Sequence, residues 1–109
     1  MTTALKVLGQ SEPSAATLTT LYTVPASTQT VSSSIVVCNT SNVATTFRIA
    51  IRPGGAAIAN KHYIYYDMPI NGNDTFIATI GISLATTDIV SVYATLATLS
   101  FNLFGQEIT

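Results

Sequence analysis

The stretch Thr45-Thr46-Phe47-Arg48-Ile49-Ala50-Ile51-Arg52 decides the fold. Phe47, Ile49 and Ile51 fall on one side of an extended chain, and Arg48, Ala50 and Arg52 on the other. That two-residue period marks a half-buried β-strand. Pro53-Gly54-Gly55 then ends it, because proline and glycine punctuate regular structure. The same alternation recurs in Leu99-Ser100-Phe101-Asn102-Leu103. A strand this apolar would invite aggregation at a bare sheet edge, so it is expected either in the middle of a sheet or covered by another subunit.

Working outward from these two segments, eight strands are predicted: Ala4–Gln10, Leu18–Val24, Thr30–Asn39, Thr45–Arg52, Tyr63–Met68, Thr75–Ile82, Ile89–Thr95 and Leu99–Ile108. Turn-forming runs separate them, among them Thr40-Ser41-Asn42 and Pro69 to Asp74 around Asn71-Gly72-Asn73. The segment Ala56–Lys61 is too short to stand alone as a helix. No sustained 3.6-residue period exists. Short strands at this spacing predict an all-β, single antiparallel β-sandwich, jelly-roll-like or immunoglobulin-like. Ser11-Glu12-Pro13-Ser14 breaks the pattern early, so residues 1–16 are expected as an N-terminal arm with a short strand and residues 17–109 as the sandwich.

The chain of 109 residues is 48% hydrophobic, but only 8% of it is charged, where about 25% is typical. Ser and Thr fill the gap with 28 residues. A polar surface without charge is cheaper to desolvate than a charged one, which favours burial in an assembly. Strand-loving threonine is the plainer reason for the same composition. Net charge is −1 with no basic run, so no nucleic-acid footprint is expected. The single Cys38 excludes an internal disulfide, and within Ile35-Val36-Val37-Cys38 it is expected to behave as a small buried hydrophobe. The start lacks the long apolar segment of a secretory signal. Positions 89–106 carry no charge but alternate with period two, so they are read as strands and no membrane span is expected.

Chemistry-bearing groups are scarce. Pro53-Gly54-Gly55 lacks the lysine and spacing of a phosphate loop. His62 and Cys38 have no partner of their own kind, and Asp67 and Asp74 flank a turn as turn formers do, so no metal and no cofactor are expected. A lone imidazole with no nucleophile elbow predicts no catalytic residue, and the chain is expected not to be an enzyme.

What remains are contact candidates. Arg48 and Arg52 share a strand face about 13 Å apart. They could meet a partner or simply keep the strand solvated. His62-Tyr63-Ile64-Tyr65-Tyr66 holds three of the five tyrosines and must place rings on both faces of a strand. One face is expected as core, the other as a protein contact or, alternatively, a platform for host glycans around Tyr63, Tyr65 or Tyr66. Leu5 and Val7 alternate with Lys6 and Leu8 in the arm and are expected as contacts too.

Several runs carry a family resemblance: Leu21-Tyr22-Thr23-Val24-Pro25-Ala26, Ser34-Ile35-Val36-Val37-Cys38-Asn39, Thr46-Phe47-Arg48-Ile49-Ala50, Tyr63-Ile64-Tyr65-Tyr66-Asp67, Asn73-Asp74-Thr75-Phe76, Gly81-Ile82-Ser83-Leu84, Thr87-Asp88-Ile89-Val90 and Leu99-Ser100-Phe101-Asn102-Leu103-Phe104-Gly105. Over residues 17–108 the chain resembles small tailed-phage virion proteins, cyanophage-like ones among them. The resemblance implies a structural part of the particle. That part is a capsid decoration (cement) protein, or alternatively a tail, baseplate or fibre-attachment module. The implied partners are the chain itself, as a homotrimer, and the major capsid protein or tail proteins. The implied location is the outer capsid surface or the tail, after synthesis in the host cytoplasm. The motifs are structural and bring no active-site residues.

Overall fold

A computed structural model describes all of residues 1–109. Nine strands form two antiparallel sheets. They are β1 (Thr3–Ser11), β2 (Thr19–Thr23), β3 (Gln29–Asn39), β4 (Thr45–Arg52), β5 (Tyr63–Ile70), β6 (Thr75–Ala78), β7 (Ile82–Leu84), β8 (Ile89–Ala94) and β9 (Leu99–Ile108). The first sheet has the order β1-β9-β3-β6, with β7 also on β3; the second has β2-β8-β4-β5. The fold is the expected all-β sandwich, and β9 is indeed central, between β1 and β3.

Strand order chooses between the two sandwich types. β6 and β7 pair with the same strand end to end, at Val36↔Ile77 and Val31↔Ser83. Counted as one interrupted strand, they leave eight positions, and the chain crosses between sheets at every connection except the β4–β5 hairpin. This is the jelly-roll arrangement.

The expected single strand Thr75–Ile82 is split because its pairing does not keep step. From Ala78 to Ile82 the chain takes four steps where β3, from Ile35 to Ser32, takes three. The surplus is expelled around Thr79–Gly81. In the other direction, β5 runs on through Pro69 and Ile70, which were expected in a turn. Proline is tolerated there because β5 is an edge strand, with no further ladder for an N–H to join.

Side chains from both sheets fill the space between them. Phe47, Ile49, Val90 and Val92 from the second sheet meet Ile35, Val37, Leu99, Phe101 and Leu103 from the first, all fully buried. Phe47 is the hub. Its ring lies 5.2 Å from that of Phe76, 6.1 Å from Phe101 and 6.4 Å from Tyr65, in tilted and edge-on geometries that aromatic quadrupoles favour.

Residues 1–16, expected as an arm, are mostly built into the first sheet. β1 pairs with β9 from Thr3↔Ile108 to Ser11↔Phe101. A bulge between Val7 and Gly9 turns Leu8 into the core. At Gly9 the two sheets come close: a Cβ there would sit 2.3 Å from the Leu21 carbonyl oxygen, so only glycine fits. Nearby, a polar group bridges four strands. The Tyr22 hydroxyl donates to Glu107 and shares a hydrogen bond with Thr30, while Lys6 pairs with Glu107 at 2.8 Å. Burial first, then the Glu107 carboxylate, pushes the Tyr22 hydroxyl up to about 12. Lys6, and after it Tyr22, hold Glu107 below its usual range.

Candidate functional site: two unlike outer faces

The outer face of the first sheet is built by alternation. With Leu8, Ile35, Val37, Leu99, Phe101 and Leu103 turned inward, the opposite positions point away from the core. They are Leu5 and Val7 on β1, Asn102, Phe104 and Gln106 on β9, Val31, Val36 and Cys38 on β3, and Ile77 and Ser83 on β6 and β7. None is charged. Leu5 is 81% exposed, Ile77 62% and Val7 47%. Leu5, Val31 and Phe104 line a shallow groove; Lys6 also borders it, but its charge is paired with Glu107. The expected contact residues Leu5 and Val7 therefore stand side by side with other apolar groups. Cys38, expected in the core, is half-buried on this face, because Val37 and Asn39 take the inward positions.

β1 adds a second feature. It pairs on one side only, leaving the outer backbone of a nine-residue strand free. The other edges are short or irregular: β2 has five residues, β6 four, and β5 carries Pro69 and two register shifts. β1 is the longest of the edges, and its Thr3–Val7 stretch runs without a break before the bulge at Val7–Gly9; long unpaired edges are the ones that pair with other chains.

The second sheet's outer face is of another kind. The β4–β5 register slips twice, between Phe47 and Ile49 and again between Ile49 and Ala50. At the first slip Tyr66 and Asp67 together oppose Arg48, and Asp67 takes φ +50°, a left-handed conformation that Asp tolerates better than most residues. The Arg48 Nε donates to Asp67 Oδ1 at 2.7 Å, and Nη2 donates to Oδ2 at 3.4 Å. Its guanidinium carbon lies 4.2 Å from the Tyr66 ring centre, 4.4 Å from that of Tyr93 and 6.0 Å from that of Tyr63. Tyr63 and Tyr66 meet edge-on at 4.9 Å. Asp67 first, and the neighbouring tyrosines after it, raise the Arg48 pKa further above its ordinary value.

The same slips correct the expected face assignment of the tyrosines. Simple alternation puts Tyr63, Tyr65 and Asp67 together. In the structure Tyr65 turns inward, 5.1 Å from Phe76 and packed on the core, whereas Tyr63, Tyr66 and Asp67 share the outside with Arg48. Tyr65 is therefore a half-buried part of the packing, on the other side of the sheet from Tyr63 and Tyr66.

Arg52 also parts company with Arg48. Its Nε donates to Ala56 O at 2.8 Å, Nη1 to Ser91 Oγ at 3.2 Å and Nη2 to Gly55 O at 3.4 Å. It fastens the 53–62 connection over the sheet, burying Ser91 and Ala50. His62 secures the far end of that connection: its buried Nδ1 accepts the Ala59 N–H at 3.0 Å.

No three His, Cys, Asp or Glu side chains converge as metal ligands would. The turn aspartates are occupied by backbone: Asp74 accepts the Thr75 N–H and Asp88 that of Ala85 within their own turns, and Asp88 also accepts the Gly54 N–H from the 53–62 connection. One buried clamp escaped the sequence reading. Asn39 donates to Val43 O and Asn71 O and accepts the Ser41 N–H, locking two loops together. No helix is long and apolar enough to cross a membrane. In comparisons with known proteins, no family model, no curated protein and no solved structure matches the chain.

Proposed function

We propose that this chain is a non-enzymatic structural protein of a phage particle, a decoration (cement) protein that docks on the assembled capsid through the outer face of its first sheet. The observation that carries the reading is that face itself: Leu5, Val7, Val31 and Phe104 stand together, with Val36 and Ile77 farther across the same sheet and no charged residue among these outward positions. Exposed apolar groups in one contiguous, uncharged area mark contact surfaces. Desolvating such a face costs little, since no ion has to leave water. The free edge of β1 supplies backbone donors and acceptors for self-association, and the resemblance described above supplies the phage setting and the homotrimer.

The mechanism is mass action. A protein that binds assembled shell and not free subunits stabilises the shell by RT ln(1 + [L]/Kd) at each site, about 2.7 kcal/mol at a hundredfold excess over Kd. Repeated across a capsid, a modest affinity suffices.

Quantitative mass spectrometry of purified particles together with cryo-electron microscopy tests this. Copies in the hundreds, with density on the shell and the first sheet facing inward, support it. A handful of copies with density confined to the tail overturns the decoration role and leaves the tail or fibre module. Leu5→Asp should lower occupancy without unfolding the protein, because residue 5 is almost wholly solvent-exposed.

A further inference from the structure

The geometry points to a binding site for a neutral hexose on the outer face of the second sheet, at the groove lined by Asn60, Tyr63 and Tyr66. The site lies on the face opposite the proposed docking surface, so it stands or falls independently of the capsid reading.

Three features carry it. First, the rings are held in place. Tyr63 and Tyr66 meet edge-on, forming a corner, and Arg48 lies against Tyr66 while Asp67 holds the guanidinium with two hydrogen bonds. Tyr66 remains 56% exposed, an apolar ring kept in water by its neighbours instead of being folded away. A fixed aromatic surface matches the C–H face of a pyranose and loses little entropy on binding.

Second, planar hydrogen-bonding groups stand at its rim. Asn60 opens the turn Asn60–His62, anchored by the buried His62. A carboxamide offers both donor and acceptor to adjacent sugar hydroxyls. Asp67, half-exposed beside Tyr66, has acceptor capacity beyond its two bonds to Arg48.

Third, the local charge is balanced. Arg48, which lies against the Tyr66 ring, is already paired with Asp67. Lys61 borders a separate depression with Ile51, Pro53 and Ile64. No free positive charge faces the groove to select a sialic acid or a phosphate, so the ligand class is uncharged.

The test is a nuclear magnetic resonance titration of the isotope-labelled protein with the methyl glycosides of glucose, galactose, mannose and N-acetylglucosamine, up to tens of millimolar, with the methyl glycoside of sialic acid as the charged probe. Saturable shifts at Asn60, Tyr63, Tyr66 and the Arg48 Nε–H with at least one neutral glycoside are expected. Tyr66→Ala should weaken that binding about tenfold, the loss expected for one aromatic contact. Asn60→Ala, a loop change that spares the rings, should weaken it as well. Absence of shifts at these residues with every neutral glycoside overturns the proposal, as does an affinity left unchanged by Tyr66→Ala. Equal or tighter binding of the sialoside overturns the neutral class. Concentration-dependent broadening of the same residues without sugar, abolished by Tyr66→Ala, would assign the groove to protein contact and overturn the sugar site.

Discussion

On the outer face of the first sheet, Leu5, Val7 and Ile77 stand in solvent, and the nearby charge of Lys6 is paired with Glu107; on the second, Arg48, Arg52, Tyr66 and Asp67 already have partners within the chain. Both faces belong to one sandwich a few side chains thick, and both carry exposed apolar surface. They differ in what has been satisfied inside the chain. The first leaves apolar groups and a strand edge without internal partners. The second binds Arg48, Asp67 and its outer tyrosines to one another and ties Arg52 to the 53–62 connection, so what it exposes is held in place. Exposure alone therefore says little about role; the state of the neighbours separates a face suited to broad docking from one suited to a small, oriented ligand.

The core that keeps the two faces back to back gives the largest expected effect. Phe47→Ala should cost about 3–5 kcal/mol by denaturant unfolding, because the hub ring leaves a cavity that the facing sheets cannot close. Gly9→Ala tests the seam between the sheets. Its methyl group would meet backbone, not a flexible side chain, so a loss of about 1–3 kcal/mol is expected.

On the second face, Arg48→Ala should cost about 1 kcal/mol, from exposed cation–π contacts and a surface ion pair. A double-mutant cycle with Tyr66→Ala should show coupling between the two, whereas a cycle of Arg48→Ala with Leu5→Ser should be additive within about 0.5 kcal/mol.

Acid and alkali sharpen the comparison at the edge where β1 joins the sandwich. Glu107 titrates below its usual range in the folded protein, so its contribution is present above the ordinary carboxylate range and disappears as pH falls through the folded value. Tyr22 titrates at about 12, so its contribution is complete below the ordinary 10 and is lost as pH rises toward 12. Unfolding midpoints measured against pH should show both limbs. Glu107→Gln should flatten the acid one, and Tyr22→Phe should remove the tyrosine's part of the alkaline one. The smallest effect on stability is expected from Leu5→Ser, within about 0.5 kcal/mol, though Leu5 is the most exposed apolar side chain of the proposed docking face.

Much of this architecture is legible in the residues alone. Alternation in Thr45–Arg52 and Leu99–Phe104 locates the two inner layers, and the hydrophobicity of β9 narrows it to a central or a covered position, of which the structure shows the central one. What alternation cannot show is where it slips. The bulges of β5 decide that Tyr65 is packing and Tyr66 is surface, and they arise from pairing with a strand some twenty residues away. A local hint exists: Asp67 followed by Pro69 is poor strand chemistry, and Asp accepts the left-handed turn. The parting of Arg48 and Arg52 was hidden for the same reason, since each role depends on which loop or bulge comes to lie beside it. The Lys6–Glu107–Tyr22 group spans the whole chain and leaves no mark on local sequence.

That span has a consequence in time. β1 has a single partner strand, and that partner is the last in the chain: Thr3 sits opposite Ile108. Contacts so distant close slowly, and none of them can form until the final strand has left the ribosome. β1 is thus synthesised long before the strand that secures it, and the surface that carries Leu5 and Val7 is assembled only once β9 is available. A chain that lacks β9 has no such face to offer, which couples the presence of that strand to the ability of the first sheet to join anything else.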